Sequence, residues 1–173
     1  MATIGQRRGQ LGVAAHIGAS CLVVLAAVGV VGLLARQPLL FPSLGPTAML
    51  IFDSPRQRSG SPRNTLVGHG VAILAGLACL TAFDLADSAP VLQEGITAAR
   101  IGAAAASVAL TVLVLRLLSC AHPPAGATTL IVSLGLLSAP TELLAIAAAV
   151  LLVTLLGALL NRLLRRDPAP ATG

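Results

Sequence analysis

Phe41-Pro42-Ser43-Leu44-Gly45-Pro46-Thr47-Ala48 heads one short apolar run, and Pro123-Pro124-Ala125-Gly126-Ala127-Thr128, 81 residues on from Pro42, heads another. Both read P-x-x-G-x-T and continue into apolar side chains. Proline fixes φ and lacks an N–H, so a helix does not run through it from the N-terminal side. The first run, 39–52, has 14 residues; as helix it covers about 21 Å at 1.5 Å per residue, short of the roughly 30 Å of bilayer hydrocarbon. Each run, 39–52 and 122–137, is therefore expected as an extended approach followed by a half-helix.

Four longer apolar runs flank them, at about 12–35, 66–83, 98–118 and 143–164. Each is near the ~20 residues that span a membrane. The order long, short, long occurs twice, which marks a duplicated unit with halves 12–83 and 98–164. The expected fold is an all-α polytopic membrane protein of four long transmembrane helices plus two short broken ones. Residues 53–65 read as a polar loop, 84–97 as an acidic loop and 138–141 as a turn with Pro140 in the first turn of the last helix. Residues 1–11 form an N-terminal segment ahead of the membrane domain (12–166), and 167–173 a short tail expected to be disordered.

Composition agrees. Of 173 residues, 56% are hydrophobic and only 10% charged, against roughly 25% charged in a soluble domain. That much apolar surface has to face lipid. The net charge of +5 comes from 11 Arg and no Lys. The Arg residues stand singly or in pairs at the ends of apolar runs, so they set topology and do not form a nucleic-acid patch.

Topology decides the kind of repeat. If the short runs dip in and return, six Arg residues lie on one side and five on the other. If they cross fully, Arg7, Arg8, Arg56, Arg58, Arg63, Arg116, Arg162, Arg165 and Arg166 share one side, leaving Arg36 and Arg100 beside the acidic loop. The positive-inside rule prefers the second arrangement. It gives an inverted repeat of three crossings each, with both termini cytoplasmic.

The sequence offers no paired carboxylates, Ser-His-Asp set, phosphate loop or Cys/His cluster. Catalytic residues, metal and cofactor are therefore not expected, and the chain is read as no enzyme. Cys21, Cys79 and Cys120 are expected to be inert thiols. What the pattern does supply is two helix N-termini inside the membrane. Their first N–H groups lack intrahelical partners and carry the positive end of the dipole, which makes an anion site. In an inverted repeat the two ends point at each other. The candidate substrate-binding residues are Pro42, Ser43, Gly45 and Thr47, with His122, Pro123, Pro124, Gly126 and Thr128. The plainer alternative is that these prolines and glycines only shape a bend. His122, at an apolar boundary, can donate, accept or titrate. Arg63, Asn64 and His69 are candidates for a pathway or gate, although interfacial hydrogen bonding or topology also accounts for them. Small residues at Gly68, Ala72 and Gly76, and at Ala98, Gly102 and Ala106, mark close helix contacts.

Three blocks in order, Phe41 to Ala48, Pro62-Arg63-Asn64 with Gly68-His69, and His122-Pro-Pro-Ala-Gly-Ala-Thr128, resemble the HPP family of integral membrane proteins, named for its His-Pro-Pro motif. The resemblance spans about residues 12–162. It implies a bundle usually described as having four transmembrane segments; the six crossings above count the short runs too. Plastid members are described as nitrite transporters of the chloroplast envelope, and some bacterial members are fused to CBS domains, for which this chain has no room. Ser59-Gly60-Ser61 stands where Gln is expected before Pro-Arg-Asn. The resemblance thus implies a permease for a small inorganic anion, nitrite first, in a bacterial inner membrane. Lipid, the anion and copies of the chain are the expected partners. A non-transporting scaffold or sensor subunit is the alternative.

Overall fold

The computed structural model describes residues 4–164; the N-terminal Met and the expected C-terminal tail lie outside them. Seven helices occur among the described residues: α1 (Ile4–Ala35), α2 (Leu44–Asp53), α3 (Pro62–Ala82), α4 (Val91–Glu94), α5 (Ala98–Leu117), α6 (Ala125–Ser133) and α7 (Pro140–Leu164). Four of them, α1, α3, α5 and α7, are long and apolar enough to cross a membrane. Their outward faces carry large apolar side chains, such as Leu22, Leu33, Leu74 and Leu117, as a lipid-facing bundle requires. The short helices α2 and α6 are the two expected half-helices, each preceded by an extended stretch.

Local chemistry sets the boundaries. Ser61 caps α3, its Oγ accepting from Asn64 N at 3.3 Å, with Pro62 in the first turn. The helix therefore starts four residues before the apolar run at 66, inside the expected loop. Thr97 caps α5 in the same way. Glu142 accepts from Ser138 N and Ala139 N at the start of α7, where the dipole favours a carboxylate. Helix α1 begins at Ile4, within the expected N-terminal segment, and α4 interrupts the acidic loop.

Three long helices end in the same manner. Arg36, Asp84 and Ser119 have φ of 54°, 58° and 53°. Around them Gln37 N donates to Gly32 O, Leu85 N to Leu80 O and Cys120 N to Leu115 O. These are Schellman closures, which favour glycine at the left-handed position because a Cβ there costs about 1 kcal/mol. Ser119→Gly and Asp84→Gly are each expected to stabilise the protein by about 0.5–1 kcal/mol, read as a rise in the thermal midpoint in detergent. A fall would mean that the side chain has a role the backbone does not reveal.

The path of the chain follows from its contacts. After α1, residues 37–40 turn back along its last turns, where Gly29 and Gly32 face Leu40 and Leu39. Helix α2 ends beside the last turns of α7, with Asn161 Nδ2 donating to Ile51 O at 3.0 Å and Gly157 against Ile51. Gly60, just before α3, packs on the Leu50 carbonyl. Helix α3 crosses back, and Phe83 at its end meets Gly102 near the start of α5. The chain after α5 reaches the beginning of α3, where Asn64 Nδ2 donates to Ala121 O at 3.1 Å. Helix α6 then climbs α3, with Gly68 facing His122 and Gly76 facing Val132. The two short segments thus run between opposite ends of the four long helices, and in opposite directions.

Each half gives up its third helix to the other. Helix α7 packs with α1 and α2, whereas α3 packs with α5 and α6, and α3 touches α7 at the seam. The larger core joins Val24 and Val28 of α1, Leu44, Ala48 and Ile51 of α2, and Ile146, Ala149 and Val153 of α7. The 81-residue offset extends to this packing. It relates Gly76 to Gly157 and Ile51 to Val132, and the Gly76–Val132 contact mirrors the Gly157–Ile51 contact.

Arg100 differs from the expected topology charge. It is fully buried, donating to Leu134 O at 3.2 Å, to Ala89 O, and to Glu94 at 2.5 Å. It ties the acidic loop to the end of α6, whose Leu134 carbonyl also accepts from Val91 N. Arg100→Ala is expected to cost about 3 kcal/mol, since two buried carbonyls lose a charged donor. Arg100→Lys should recover little of it, because an ammonium does not reproduce the fork. Thermal unfolding in detergent measures both.

Candidate functional site

The first turns of α2 and α6 meet at one side chain. His69 lies on α3 seven residues after Pro62, about 10 Å along the helix axis, and is 1% exposed. Its Nε2 is 3.0 Å from Thr47 Oγ1 and its Nδ1 2.7 Å from Thr128 Oγ1. A second ring completes the site. His122 Nε2 lies 3.2 Å from His69 Nε2 and His122 Nδ1 2.8 Å from Ser59 O. The rings stand edge to face, with centroids 5.0 Å apart. Only glycine at position 68 admits this, because a Cβ there would lie 2.7 Å from His122 Cβ.

The acceptors fix the protons for neutral rings. The Ser59 carbonyl can only accept, so His122 carries its proton on Nδ1 and leaves Nε2 as an acceptor. His69 Nε2 then donates toward His122 Nε2 and is shared with Thr47 Oγ1, whose own proton goes to Ser43 O at 2.8 Å. His69 Nδ1 is left to accept from the Thr128 hydroxyl. Every donor from Thr128 to Ser59 therefore points the same way.

This assignment separates the two threonines. Thr128→Val is expected to lower stability by about 1–2 kcal/mol, since it leaves the buried Nδ1 without a donor. Thr47→Val should cost less, because Nε2–H keeps His122 as an acceptor. Equal effects on thermal unfolding in detergent would contradict the proton order.

The helix starts themselves depart from expectation. The first N–H groups of α6 are not free: Ala125, Gly126 and Ala127 donate to the carbonyls of His122, Pro123 and Pro124. In α2, Leu44 N and Thr47 N donate to Phe41 O and Ser43 O. Pro46 has no N–H, and Gly45 N has no backbone acceptor among the described residues. Ser43 Oγ is fully buried without a hydrogen-bond partner. The donors left at the start of α2 are thus the Ser43 hydroxyl and the Gly45 N–H, not two rows of bare amides, and the Thr128 hydroxyl is engaged with His69 Nδ1.

Gly45 and Gly126 are half-buried, and a Cβ at either would meet nothing within 4 Å. The protein's own packing does not require glycine there. Gly126, His122 and Pro123 line a cavity of about 280 Å³ with Thr111, Leu115 and Arg116 of α5. Pro42 and Pro123 are exposed at the bends, and Pro124 is buried. Asn64 is buried and positions the Ala121 carbonyl; Arg63 lies exposed on the first turn of α3, outside the cluster. Cys120 is buried in apolar surroundings with Ala72, Leu115 and Ala125. Thr129, which pairs with Thr111 at 2.9 Å and joins α6 to α5, had no sequence signal beyond its place after Thr128.

A family model described as "HPP, transmembrane region" matches residues 6–170. No curated protein and no solved structure matches the chain.

Proposed function

Since the chain belongs to the HPP transmembrane family, we propose that it is a permease for a small inorganic anion, with nitrite the best single candidate. The observation that carries this reading is the convergence of two broken crossings, one from each inverted half, on the buried imidazole of His69. Irregular backbone at membrane depth is tolerated where it lines a pathway or is buried in protein, and repeat interfaces near the midplane are where permeants bind. The Ser43 hydroxyl and the Gly45 N–H, which have no partner of their own among the described residues, are suited to an anion of a few atoms. In this conformation the ring of His69 stands between Thr47 and Thr128, so passage requires it to swing aside.

Electrostatics favour approach from one face. Arg56, Arg58, Arg63, Arg116 and Arg162 lie toward the face where α3 begins and α7 ends, whereas Arg36 and the buried Arg100 lie toward the other. Such a field concentrates anions. The same asymmetry supports reading the arginine-rich face as cytoplasmic, in what we take to be a bacterial inner membrane.

Purified protein in liposomes, offered nitrite, nitrate, formate and chloride, tests the reading. Protein-dependent uptake of nitrite is expected. Absence of flux for all four, together with a stable complex with another protein, would instead support a scaffold or sensor subunit.

A further inference from the structure

We infer that the permeant is the anion of a weak acid, that it moves together with a proton, and that Thr128, His69 and His122 carry that proton to the arginine-rich face. The inference rests on the permease reading above and adds to it a substrate class and a coupling ion.

Two observations carry it. The first is charge. Neither ring hydrogen-bonds to a carboxylate, a guanidinium or another ion among the described residues; their partners are Thr47, Thr128, the Ser59 carbonyl and each other. Arg100 is engaged with the acidic loop. The charged and titratable groups on the surrounding elements are Asp53 on α2, Arg58 before α3, Arg63 and Cys79 on α3, Arg100 and Arg116 on α5, Cys120 before α6, and Glu142 and Arg162 on α7, of which Arg116 shares the cavity with His122. A bare anion drawn past Thr128 would be desolvated with no countercharge beside it, at a cost of several kcal/mol. Arrival at Thr128 as the neutral acid avoids that cost, and beyond Thr128 the anion leaves toward the cavity that Arg116 shares with His122.

The second observation is direction. The hydrogen bonds from Thr128 to Ser59 form a chain of uniform polarity, ready to move one proton from the site toward the arginine-rich face. With a neutral acid docked against Thr128, its proton passes to the Thr128 oxygen as the Thr128 proton passes to His69 Nδ1. The Nε2 proton of His69 moves to His122 Nε2, and the Nδ1 proton of His122 leaves to water. One acid O–H bond is broken, one hydronium is formed, and neither ring ends charged. The anion leaves to the same face. Both rings now hold the opposite tautomer and must turn over to reset, and that rotation of His69 also opens the way between Thr47 and Thr128.

Nitrite and formate fit this requirement. Nitrate and chloride do not, because their conjugate acids are fully dissociated in water. The test loads liposomes containing the protein with a pH-sensitive dye and follows nitrite uptake and luminal pH together, after subtraction of protein-free vesicles. The expected result is one proton per anion, uptake unchanged by a clamped membrane potential, and little flux of nitrate or chloride. A bare anion would instead redistribute about fifty-fold per 100 mV, from the ~2.3 kcal/mol per charge that such a potential represents. His122→Gln, which retains a hydrogen-bonding side chain but relays no proton, should abolish the coupled pH change. Nitrite flux that follows the potential without a pH change would overturn this inference and leave the permease reading standing. No protein-dependent flux of any anion tested would overturn both.

Discussion

His69→Ala is expected to abolish anion uptake and to lower the thermal midpoint in detergent by about 10 °C. Among the described residues, the imidazole is the side chain that hydrogen-bonds to both half-helices and to the second histidine. Its removal strands the Thr128 hydroxyl and His122 Nε2 in a buried space and opens a cavity between α2, α3 and α6. Lost hydrogen bonds at about 1 kcal/mol each, with the cavity added, give about 3 kcal/mol, and each kcal/mol corresponds to roughly 2–4 °C in a chain of this size. His69→Gln separates the two effects. Its amide keeps a donor and an acceptor, so much of the stability should return, whereas proton transfer should not. A stable His69→Ala protein with undiminished uptake would show that the ring is neither a keystone of the bundle nor part of the path.

Gly76→Ala is expected to destabilise by about 2–3 kcal/mol, and its counterpart Gly157→Ala by about 1 kcal/mol. A Cβ at Gly76 would lie 2.7 Å from Val132 Cβ and 3.1 Å from the Thr129 carbonyl, atoms with little freedom to move. At Gly157 the nearest atom is a methyl of Ile51 at 2.9 Å, which has somewhat more room to yield. Overpacking of this kind costs 1–3 kcal/mol. Val132→Gly, which removes the clashing Cβ, combined with Gly76→Ala should recover at least about 1 kcal/mol, as should Ile51→Ala combined with Gly157→Ala, because neighbours in contact are not additive. Unfolding of the six variants in detergent gives both cycles. Recovery in one and none in the other would mean that the two contacts are not equivalent.

Much of the architecture was legible because the bilayer imposes it. The four long runs had to be spanning helices, and the prolines at 42 and 123 had to interrupt the two short ones. The offset read from Pro42, Gly45 and Thr47 proved to extend to packed glycines 31 residues beyond Gly45. The exchange of third helices was not legible, because runs of Leu, Val and Ala fit many neighbours equally well. The helix ends escaped because Arg36, Asp84 and Ser119 occupy a conformation that glycine usually signals.

The candidate site was read in outline. Thr47 and Thr128 stand in the first turns of the two short helices, as the repeat expected, and His122 opens the second short segment. His69 was weighed as a gate or an interfacial residue, yet it joins all three; a lone histidine one turn beyond Asn64 gives no hint of partners 22 and 59 positions away in the chain. Arg100 was misleading for the opposite reason. At the mouth of a span it looked like a topology marker, whereas folding buries it against carbonyls that only the acidic loop and α6 supply.

The pairing of α2 with α7 has a consequence for biogenesis. Ile51 finds the amide of Asn161 only once a further 110 residues have been synthesised. Until then the first broken crossing waits in the insertion machinery without its companion. An ancestral gene encoding a single half would have faced the same shortage. It could have resolved it by associating with a sister molecule inserted upside down, two interlocked copies that duplication later joined into one polypeptide.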